Sequence, residues 1–356
     1  MDKLNPIVVL VTGAGAPGIK GTLYSLRNNY DKRKITIVGV DMQNNVIGAF
    51  LCDKFHVVPP AKKAKDYLTA LIKICKEENV NVLLPQNTFE LEILSKNYLK
   101  FEAVGTKVVT SPETSIKLAN DKFQLMRVCK EIGVPVGEFY KVDNYSDLVS
   151  KANLLGWPTN NVVVKPPMSN GMRGVRIINE TLDLKKMFYN EKPNSLSTTM
   201  SGLHAVLGDT FPDLIVTEYL PGKEYTVDVF RHNKKTTVIP RSRDQIRSGI
   251  TFSGEVIKHE KLIESCKKIS DKLDLQNCYG FQFKLDVNDN PKILESNPRV
   301  QGTMVLATIA NANIIYSSVK KVLGEDIPDF NIKWGTKISR FWGGVGVDSD
   351  NKITII

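Results

Sequence analysis

The sequence lacks the features that mark several broad classes of protein. Its 356 residues contain no long apolar run, so nothing in them predicts a transmembrane helix. The first residues, Met-Asp-Lys-Leu-Asn-Pro, lack the apolar stretch of a signal peptide. The five cysteines are scattered, without a Cys-x-x-Cys pair or a cysteine–histidine cluster, which argues against a disulfide framework and a zinc site. We therefore expect a cytoplasmic protein with reduced thiols and no membrane partner.

The chain has a basic excess, but that excess is not clustered. The formal net charge is +10, from 48 Lys and Arg against 38 Asp and Glu. Residues 1–112 and residues 113–356 each carry a net charge of +5. Nucleic-acid binding usually requires a concentrated basic stripe. We expect no nucleic-acid partner, and instead a solvated basic surface or an anionic small-molecule ligand.

The first 110 residues alternate between apolar strand patterns and amphipathic helix patterns. Strands are predicted at 7–12, 35–40, 55–58, 80–84 and 108–109, and helices at 19–29, 66–78 and 88–99. Strands that alternate with helices imply a parallel, doubly wound sheet. This part of the chain is therefore predicted to be an α/β, Rossmann-like domain.

A glycine motif stands at the first strand-to-helix turn. Gly13, Gly15 and Gly18 follow a strand and precede a helix, and Asp41 ends the next strand. This pattern fits a dinucleotide fingerprint, in which the acid binds a ribose hydroxyl. The alternative is a structural turn, because first turns of this kind of fold favour glycine, and no Tyr-x-x-x-Lys pair for hydride chemistry follows. An NAD(P)-dependent oxidoreductase stays as an alternative function.

The rest of the chain reads as α+β with an antiparallel sheet. Residues 190–213 are polar and rich in Ser and Thr, which predicts an irregular surface insertion, and residues 307–323 predict one final helix. We divide the chain into a Rossmann-like domain (1–112), a helical linker with a lid subdomain (113–220) and a C-terminal subdomain with a metal site and an extension (221–356).

Three segments carry residues suited to nucleotide chemistry. In the first, a strand delivers Lys165, and the loop behind it contains Ser169, Gly171 and Arg173. Backbone amides and cations of such a loop bind phosphates, although a solvent-exposed hairpin with an incidental lysine gives the same pattern. In the second, Glu218-Tyr219-Leu220 leads through Pro-Gly to Glu224. Strand-end carboxylates suit ribose hydroxyls, and a simple hairpin with solvated acids is the alternative.

The third segment indicates a metal site. Gln282 lies within one predicted strand, and Glu295, Asn297 and Arg299 follow at alternate positions on the next. Residues two apart share one side of an extended chain. Carboxylate and carboxamide oxygens suit Mg²⁺, and an arginine suits a phosphoryl group in transfer.

The order of these residues resembles that of the ATP-grasp superfamily, most closely the synthetase domains of the carbamoyl-phosphate synthase large subunit and single-module ligases similar to them. The resemblance covers about residues 5–320. It implies a Rossmann-like pre-ATP-grasp domain followed by an α+β ATP-grasp fold, with a lid subdomain and a C-terminal antiparallel-sheet subdomain that hold ATP between them. The carried-over roles are phosphate binding by Lys122, Lys165 and the lid loop of Ser169, Gly171 and Arg173; adenine recognition by Glu218, Tyr219 and Leu220; ribose binding by Glu224; metal binding by Gln282, Glu295 and Asn297; and stabilisation of the γ-phosphoryl group by Arg299.

The resemblance also implies a reaction. It is an ADP-forming carboxylate–amine ligase that converts a small carboxylic acid to an acyl phosphate and then to an amide. The implied cofactors are ATP and Mg²⁺, with two ions and with Mn²⁺ as an alternative metal. The implied partners are small-molecule carboxylates and amines, and a homodimer is left open. Gln282 departs from the acid that many members carry, which removes one negative charge from the metal site. A non-catalytic ATP-binding regulatory protein stays as a further alternative.

An arginine-rich segment lies between the proposed ribose strand and the metal strand. It spans residues 240–249 and includes Arg241 and Arg247. We expect Arg247, and with it Arg241, to hold the acceptor carboxylate or the acyl phosphate. The alternative is a basic surface loop.

Overall fold

The computed structural model describes residues 4–169, 171–191, 195–247, 249–341, 343–347 and 353–355. Within them the strands are β1 Ile7–Val11, β2 Ile35–Asp41, β3 Lys54–Val57, β4 Val82–Leu84, β5 Lys107–Val108, β6 Phe139–Asn144, β7 Val162–Lys165, β8 Arg176–Ile178, β9 Ser197–Thr198, β10 Thr210–Glu218, β11 Glu224–His232, β12 Lys235–Ser242, β13 Gln245–Arg247, β14 Ile250–Glu255, β15 Asn277–Leu285, β16 Pro291–Asn297, β17 Lys337–Ser339, β18 Val345–Val347 and β19 Ile353–Ile355.

The helices of the described residues are α1 Ile19–Arg27, α2 Ile47–Leu51, α3 Ala64–Glu77, α4 Leu91–Lys96, α5 Tyr98–Glu102, α6 Glu113–Asn120, α7 Lys122–Glu131, α8 Tyr145–Leu154, α9 Leu184–Asn190, α10 Met200–Leu207, α11 Glu260–Leu273, α12 Val305–Ile309 and α13 Ile314–Val322, with one turn of 3₁₀ helix at Thr88–Glu90. No helix among these residues is long and apolar enough to span a membrane.

The chain forms two compact units. The first contains residues 1–120, 224–282 and 295–356, and the second contains residues 121–223 and 283–294. The three-domain division expected from the sequence, with boundaries at 112 and 220, stays a prediction.

The first unit contains the parallel sheet that the sequence predicts. Its strand order is β3-β2-β1-β4-β5, and each neighbouring pair is parallel. The central strand is buried along nearly its whole length, which explains its continuous apolar run. This confirms the Rossmann-like, doubly wound prediction for the amino-terminal part of the chain.

The glycines of the first turn allow close packing. Gly13 has a φ of +58°, a conformation that favours glycine. A Cβ on Gly18 would lie 2.5 Å from the Cα of Gly302, so α1 packs directly against that backbone. Asp41 accepts hydrogen bonds from the amides of Gly15 and Gln43 at 2.8 and 3.1 Å. The glycine motif of the first turn therefore has a structural role in this fold.

Two further sheets carry the second half of the chain. One has the order β12-β11-β15-β16, with β11 and β12 antiparallel, and the other has the order β13-β14-β17. A shared core packs apolar residues of β11, β12, α12 and α13 against those of β1, β2 and α1. The second unit holds the sheet β6-β10-β7-β8-β9, whose core includes Val162, Val164 and Val216. The predicted antiparallel character is confirmed for the pairs of β10 with β6 and β7, whereas β8 and β9 are parallel.

Two predictions about secondary structure are wrong. The supposed irregular insertion 190–213 contains β9, α10 and the start of β10 in its described part. Thr199 caps α10 by accepting from the amide of Gly202, so the polar residues mark a helix start. The predicted single helix 307–323 is two helices: α12 ends at Ile309, and Asn313 caps α13 by accepting from the amide of Tyr316.

A buried carboxylate anchors the loop after β4. Glu90 is 1% exposed and accepts hydrogen bonds from the hydroxyls of Thr12 and Tyr67. It also accepts from the amides of Gln86 and Asn87, at 3.0 and 2.8 Å. Burial raises the pKa of Glu90, and these hydrogen bonds oppose that rise.

We expect Glu90→Ala to lower the free energy of unfolding by about 3 kcal/mol or more, because it leaves several buried donors without an acceptor at about 1–3 kcal/mol each. Glu90→Gln retains one oxygen and should lose about 1 kcal/mol. Urea unfolding followed by circular dichroism measures both. Equal losses would contradict the acceptor role of the carboxylate.

Candidate functional site

Lys122 and the loop behind β7 contact each other in the second unit. Asp121 caps α7 by accepting from the amides of Phe123 and Gln124, which sets Lys122 at the first position of the helix. Lys122 is 4% exposed, and its Nζ donates to the backbone oxygen and the Oγ of Ser169, both at 3.2 Å. Two of the predicted phosphate-binding residues are therefore neighbours.

The loop itself is exposed at its tip. Gly171 and Arg173 are exposed, and Gly171 and Gly174 have φ values of +58° and +75°. A Cβ on Gly174 would lie 2.6 Å from Pro166, so glycine is needed for the chain to return. Asn170, part of the motif, lies outside the described residues. An exposed cation on a glycine-containing loop suits a phosphate ligand.

Lys165 ends β7 as predicted. It is 6% exposed, and its Nζ donates to the backbone oxygen of Leu294 at 3.3 Å. Buried lysines are rare without a charge or ligand to offset them. The strand end and the hydrogen bond to Leu294 hold the ammonium of Lys165 in place.

The residues predicted for adenine end β10. A Cβ on Gly137 would lie 2.9 Å from Oε1 of Glu218, so glycine makes room for that carboxylate. The Glu218 carboxylate lies 3.6 Å from Nζ of Lys292. Tyr219 is half-buried beneath the ammonium of Lys284, at 5.1 Å, and Leu220 is buried. The structure thus places all three predicted residues together at one strand end.

Glu224 begins β11 in the first unit and is already paired with a cation. Its Oε1 lies 3.0 Å from Nε of Arg243. Arg243 also donates to Oγ1 of Thr226 at 3.1 Å and to the backbone oxygen of Gly249 at 2.9 Å. Burial lowers the pKa of Arg243, and Glu224 opposes that change. Arg243 therefore fixes the carboxylate that the sequence predicts as a ribose ligand.

The predicted metal ligands lie on neighbouring strands. Gln282 is on β15, between the buried Phe281 and Phe283, and therefore faces the opposite side of the sheet. On β16, Glu295 and Asn297 flank the buried Ser296. The Nδ2 of Asn297 donates to Oε1 of Glu295 at 3.3 Å, so these two side chains meet.

These side chains suit one particular mode of Mg²⁺ binding. Among the described residues no group of three His, Cys, Asp or Glu side chains could hold a metal ion. A dedicated protein cage is therefore not present in that part of the chain. Mg²⁺ is often held by one or two carboxylates together with substrate phosphates and water. Glu295, which contacts Asn297 and lies on the strand beside that of Gln282, fits that second mode.

Arg299 is held in place from two sides. Its Nη2 donates to Oδ1 of Asn297 at 2.9 Å, and its Nε donates to Oγ1 of Thr88 at 3.1 Å. Burial lowers the pKa of Arg299, while Glu295 and Glu90 oppose that change. A guanidinium remains the cation at neutral pH, so Arg299 is a fixed positive charge beside Glu295.

Arg241 lies in the interior of the first unit, on β12. It is 1% exposed and forms an ion pair with the fully buried Asp228 on β11, with Nε 2.8 Å from Oδ2. Its Nη2 donates to Oδ1 of Asp228 at 3.3 Å and to Oε1 of Gln301 at 3.1 Å. The alternative of a basic surface loop is therefore wrong for Arg241.

Arg247 has different surroundings. It lies on the exposed strand β13, and its guanidinium stacks over the ring of Phe252 at 4.6 Å. A cation–π contact of this kind is worth about 0.5–1 kcal/mol at an exposed site. The structure does not bring Arg247 into the buried cluster of Arg241.

Sequence reasoning missed three residues that contact the predicted ones. Thr88 accepts a hydrogen bond from Arg299, Gln301 accepts one from Arg241, and Arg243 pairs with Glu224. Gln301 carries a weak signal, because it continues the alternation of Glu295, Asn297 and Arg299. Thr88 carries none, since Arg299 is far away in sequence.

Sequence comparison supplies two family matches. Residues 9–109 match the family described as "PylC-like, N-terminal domain". Residues 210–339 match "ATP-grasp in the biosynthetic pathway with Ter operon". The second match contains the proposed ribose and metal residues. The chain is therefore similar to ATP-grasp proteins over residues 210–339.

Curated relatives of the chain include a synthase subunit and a transferase. It is 23% identical over 263 residues to the carbamoyl phosphate synthase large chain of Clostridium acetobutylicum, covering 70% of this chain and 22% of that protein. It is 24% identical over 300 residues to the formate-dependent phosphoribosylglycinamide formyltransferase of Haloquadratum walsbyi, covering 79% and 69%. The chain thus spans about a fifth of the first relative and about two thirds of the second.

A solved structure shows the same fold. The biotin carboxylase domain of the 2-oxoglutarate carboxylase from Hydrogenobacter thermophilus, a dimer in complex with MgADP, ADP and bicarbonate, has a TM-score of 0.67 at 16% identity, covering 93% of this chain and 73% of that one. At this level of identity the likeness shows a shared fold.

Removal of Asp228 tests the buried ion pair. We expect Asp228→Ala to lower the free energy of unfolding by about 3–5 kcal/mol, because it leaves the Arg241 guanidinium buried without a counter-charge. The double variant Asp228→Leu/Arg241→Met should lose less than Asp228→Ala, since it removes both charges. Denaturant unfolding of wild type, Asp228→Leu, Arg241→Met and the double variant gives the coupling energy. Additive losses would contradict the pairing.

Proposed function

We propose that this chain is an ATP-dependent carboxylate–amine ligase that activates a small carboxylic acid as an acyl phosphate. The observation that carries the proposal is the fixed arrangement of Glu295, Asn297 and Arg299 at the end of β16. It combines a carboxylate suited to a metal, a carboxamide and a cation held by hydrogen bonds to Asn297, Thr88 and Val300. Phosphoryl transfer depends mainly on positioning and on neutralisation of charge, which this set provides.

The residues divide into two tasks. Lys122, Lys165 and the loop of Ser169, Gly171 and Arg173 bind the phosphates, while Glu218, Tyr219 and Leu220 recognise adenine and Glu224 binds the ribose. A carboxylate has about four lone-pair sites, so Glu224 can accept from a ribose hydroxyl while Arg243 holds one of its oxygens. Glu295, with Gln282 and Asn297, holds Mg²⁺, which offsets the charge of the triphosphate. Two metal ions remain the proposed number.

The chemistry follows in two steps. A carboxylate oxygen of the acid attacks the γ-phosphorus of ATP, the bond from that phosphorus to the bridging oxygen breaks, and ADP leaves. Arg299 stabilises the negative charge on the γ-phosphoryl oxygens during this transfer. An amine then attacks the acyl carbon, phosphate leaves, the amine loses a proton and an amide forms. Arg241 and Arg247 are the candidates to hold the carboxylate or the acyl phosphate.

A substrate screen tests the proposal. The full chain is incubated with Mg²⁺, ATP and a panel of amino acids, other small carboxylates and amines, and ADP and new amides are measured by mass spectrometry. We expect ADP release that depends on both a carboxylate and an amine. Release without dependence on any acceptor, or binding of nicotinamide dinucleotides in place of ATP, would contradict the ligase. A chain that binds ATP without turnover would support the regulatory alternative.

The metal ligand is tested by substitution. We expect Glu295→Ala to reduce acceptor-dependent ADP release at least 100-fold, because it removes the carboxylate that holds Mg²⁺ beside the phosphates. Glu77→Ala is the matched control, since Glu77 is an exposed acid whose Oε1 lies 3.8 Å from Nζ of Lys73. Full activity in Glu295→Ala would show that the metal assignment is wrong.

A further inference from the structure

Glu224 and Arg243 face each other at one end of the sheet that contains β11 and β12. Tyr225 of β11 is opposite Ser242 of β12, so the antiparallel register places Glu224 opposite Arg243. The amide of Arg243 donates to the backbone oxygen of Glu224 at 3.2 Å, which extends the pairing by one residue. The two side chains are therefore cross-strand neighbours of opposite charge, a position in which they attract each other.

Burial is unequal within this pair. The side chain of Arg243 is 6% exposed, whereas that of Glu224 is 21% exposed. The cation is thus the more deeply buried partner, and the carboxylate retains accessible surface. An interior cation is costly unless further groups of the protein compensate it, so this arrangement differs from an ordinary surface ion pair.

The guanidinium of Arg243 is held on several sides. Its Nη1 donates to Oγ1 of Thr226 at 3.1 Å, and Thr226 is fully buried. Its Nη2 donates at 2.9 Å to the backbone oxygen of Gly249, which lies between β13 and β14. Its Nε lies 3.0 Å from Oε1 of Glu224 without forming a hydrogen bond. The protein therefore fixes the guanidinium, and the guanidinium attracts the carboxylate through its charge.

A second carboxylate lies within electrostatic range of the same cation. Burial lowers the pKa of Arg243, and the carboxylates of Glu224 and Glu295 both oppose that change. Glu224 is the proposed ribose ligand, and Glu295 is the proposed metal ligand. The charge of Arg243 therefore offsets the repulsion between these two acids and the phosphates of a nucleotide.

We propose that Arg243 is a positioning residue that makes the nucleotide site selective for ribose. It holds the carboxylate of Glu224 in one orientation, in which that carboxylate accepts hydrogen bonds from the sugar hydroxyls. The assignment rests on the proposed function for its nucleotide, and it adds a specificity-determining residue to that function. A site built to bind a hydroxyl rejects a ligand that lacks it, because the polar group of the site is then left unpaired.

Nucleotide binding tests this assignment without turnover. The Kd of the full chain is measured by isothermal titration calorimetry for ADP and for 2′,3′-dideoxy-ADP, each with Mg²⁺. The two ligands carry the same base and the same phosphates, so the ratio of their Kd values reports the sugar hydroxyls alone. We expect wild type to bind ADP at least about tenfold more tightly, since a hydrogen bond to a charged group contributes about 1.5–3 kcal/mol.

Variants show whether that preference depends on Arg243. Arg243→Gln should reduce the ratio of Kd values to below about threefold, and Arg243→Lys should give an intermediate ratio, because lysine keeps the charge without the planar group. Thr226→Val removes one anchor of the guanidinium with no change of charge, and should also lower the ratio. It is the second variant if Arg243→Gln does not fold. Arg27→Gln is the control and should keep the wild-type ratio, because Arg27 is a half-exposed arginine of the same unit that pairs with Asp53 at 3.2 Å.

An unchanged ratio in both Arg243→Gln and Thr226→Val would overturn the positioning role. It would do so even if Arg243→Gln bound both nucleotides more weakly, because an equal loss for the two ligands reports the missing charge or a general defect. The comparison of the two ligands therefore separates positioning of the carboxylate from a purely structural role.

Glu224→Ala separates this inference from the proposed function. If it leaves the ratio at the wild-type value, or if wild type binds both nucleotides equally, the ribose assignment of the proposed function fails and the role of Arg243 fails with it. If Glu224→Ala removes the preference and Arg243→Gln keeps it, the ribose assignment stands and the role of Arg243 fails. If the preference depends on both residues but the substrate screen shows no ADP release, the role of Arg243 stands and the ligase function fails.

Discussion

The buried pair of Asp228 and Arg241 is the interaction on which the proposed chemistry of the first unit depends. A guanidinium in the interior is costly unless a carboxylate and further hydrogen bonds compensate it. Here Asp228, on the strand adjacent to that of Arg241, and Gln301 provide this compensation. They occupy only part of the N–H donors of Arg241. The pair therefore fixes a cation inside the protein.

Close approaches at glycine make this arrangement sterically feasible. Gly18 lets α1 contact the backbone at Gly302, which immediately follows Gln301. Gly280 leaves room for the carboxamide of Gln301 itself. A side chain at either position would displace the segment that joins Arg299 to α12. The glycine motif of the first turn thus has a structural explanation that needs no dinucleotide.

Fixed geometry also distinguishes the cations. Arg299 is held by Asn297 and Thr88, whereas Arg247 is exposed and stacks on one aromatic ring. A group that stabilises a transition state is effective when it is already oriented, because no reorganisation is needed during the reaction. The loop that carries Glu90 also contributes, since it sets the position of Thr88 and so the hydrogen bond from Arg299 to Thr88.

Sequence patterns predicted what depends on local periodicity and missed what depends on distant contacts. The parallel sheet and the strands that carry Lys165, Glu218 and Glu295 followed from apolar runs and their breaks. The segment 190–213 did not, because a short capped helix with few buried residues resembles a polar loop. The contact of Thr88 with Arg299 could not be found at all, since the two residues are 211 positions apart in sequence.

The central claim is that an acyl phosphate forms, and transfer of an oxygen atom from the acid to phosphate tests it most directly. The acid substrate is labelled with ¹⁸O in both carboxylate oxygens, and the released phosphate is analysed by mass spectrometry after reaction with ATP and the amine. The account predicts one ¹⁸O in each phosphate, because the oxygen that attacks the γ-phosphorus stays with phosphorus when the amine displaces it. Unlabelled phosphate, formed together with equal amounts of ADP and amide, would contradict the account.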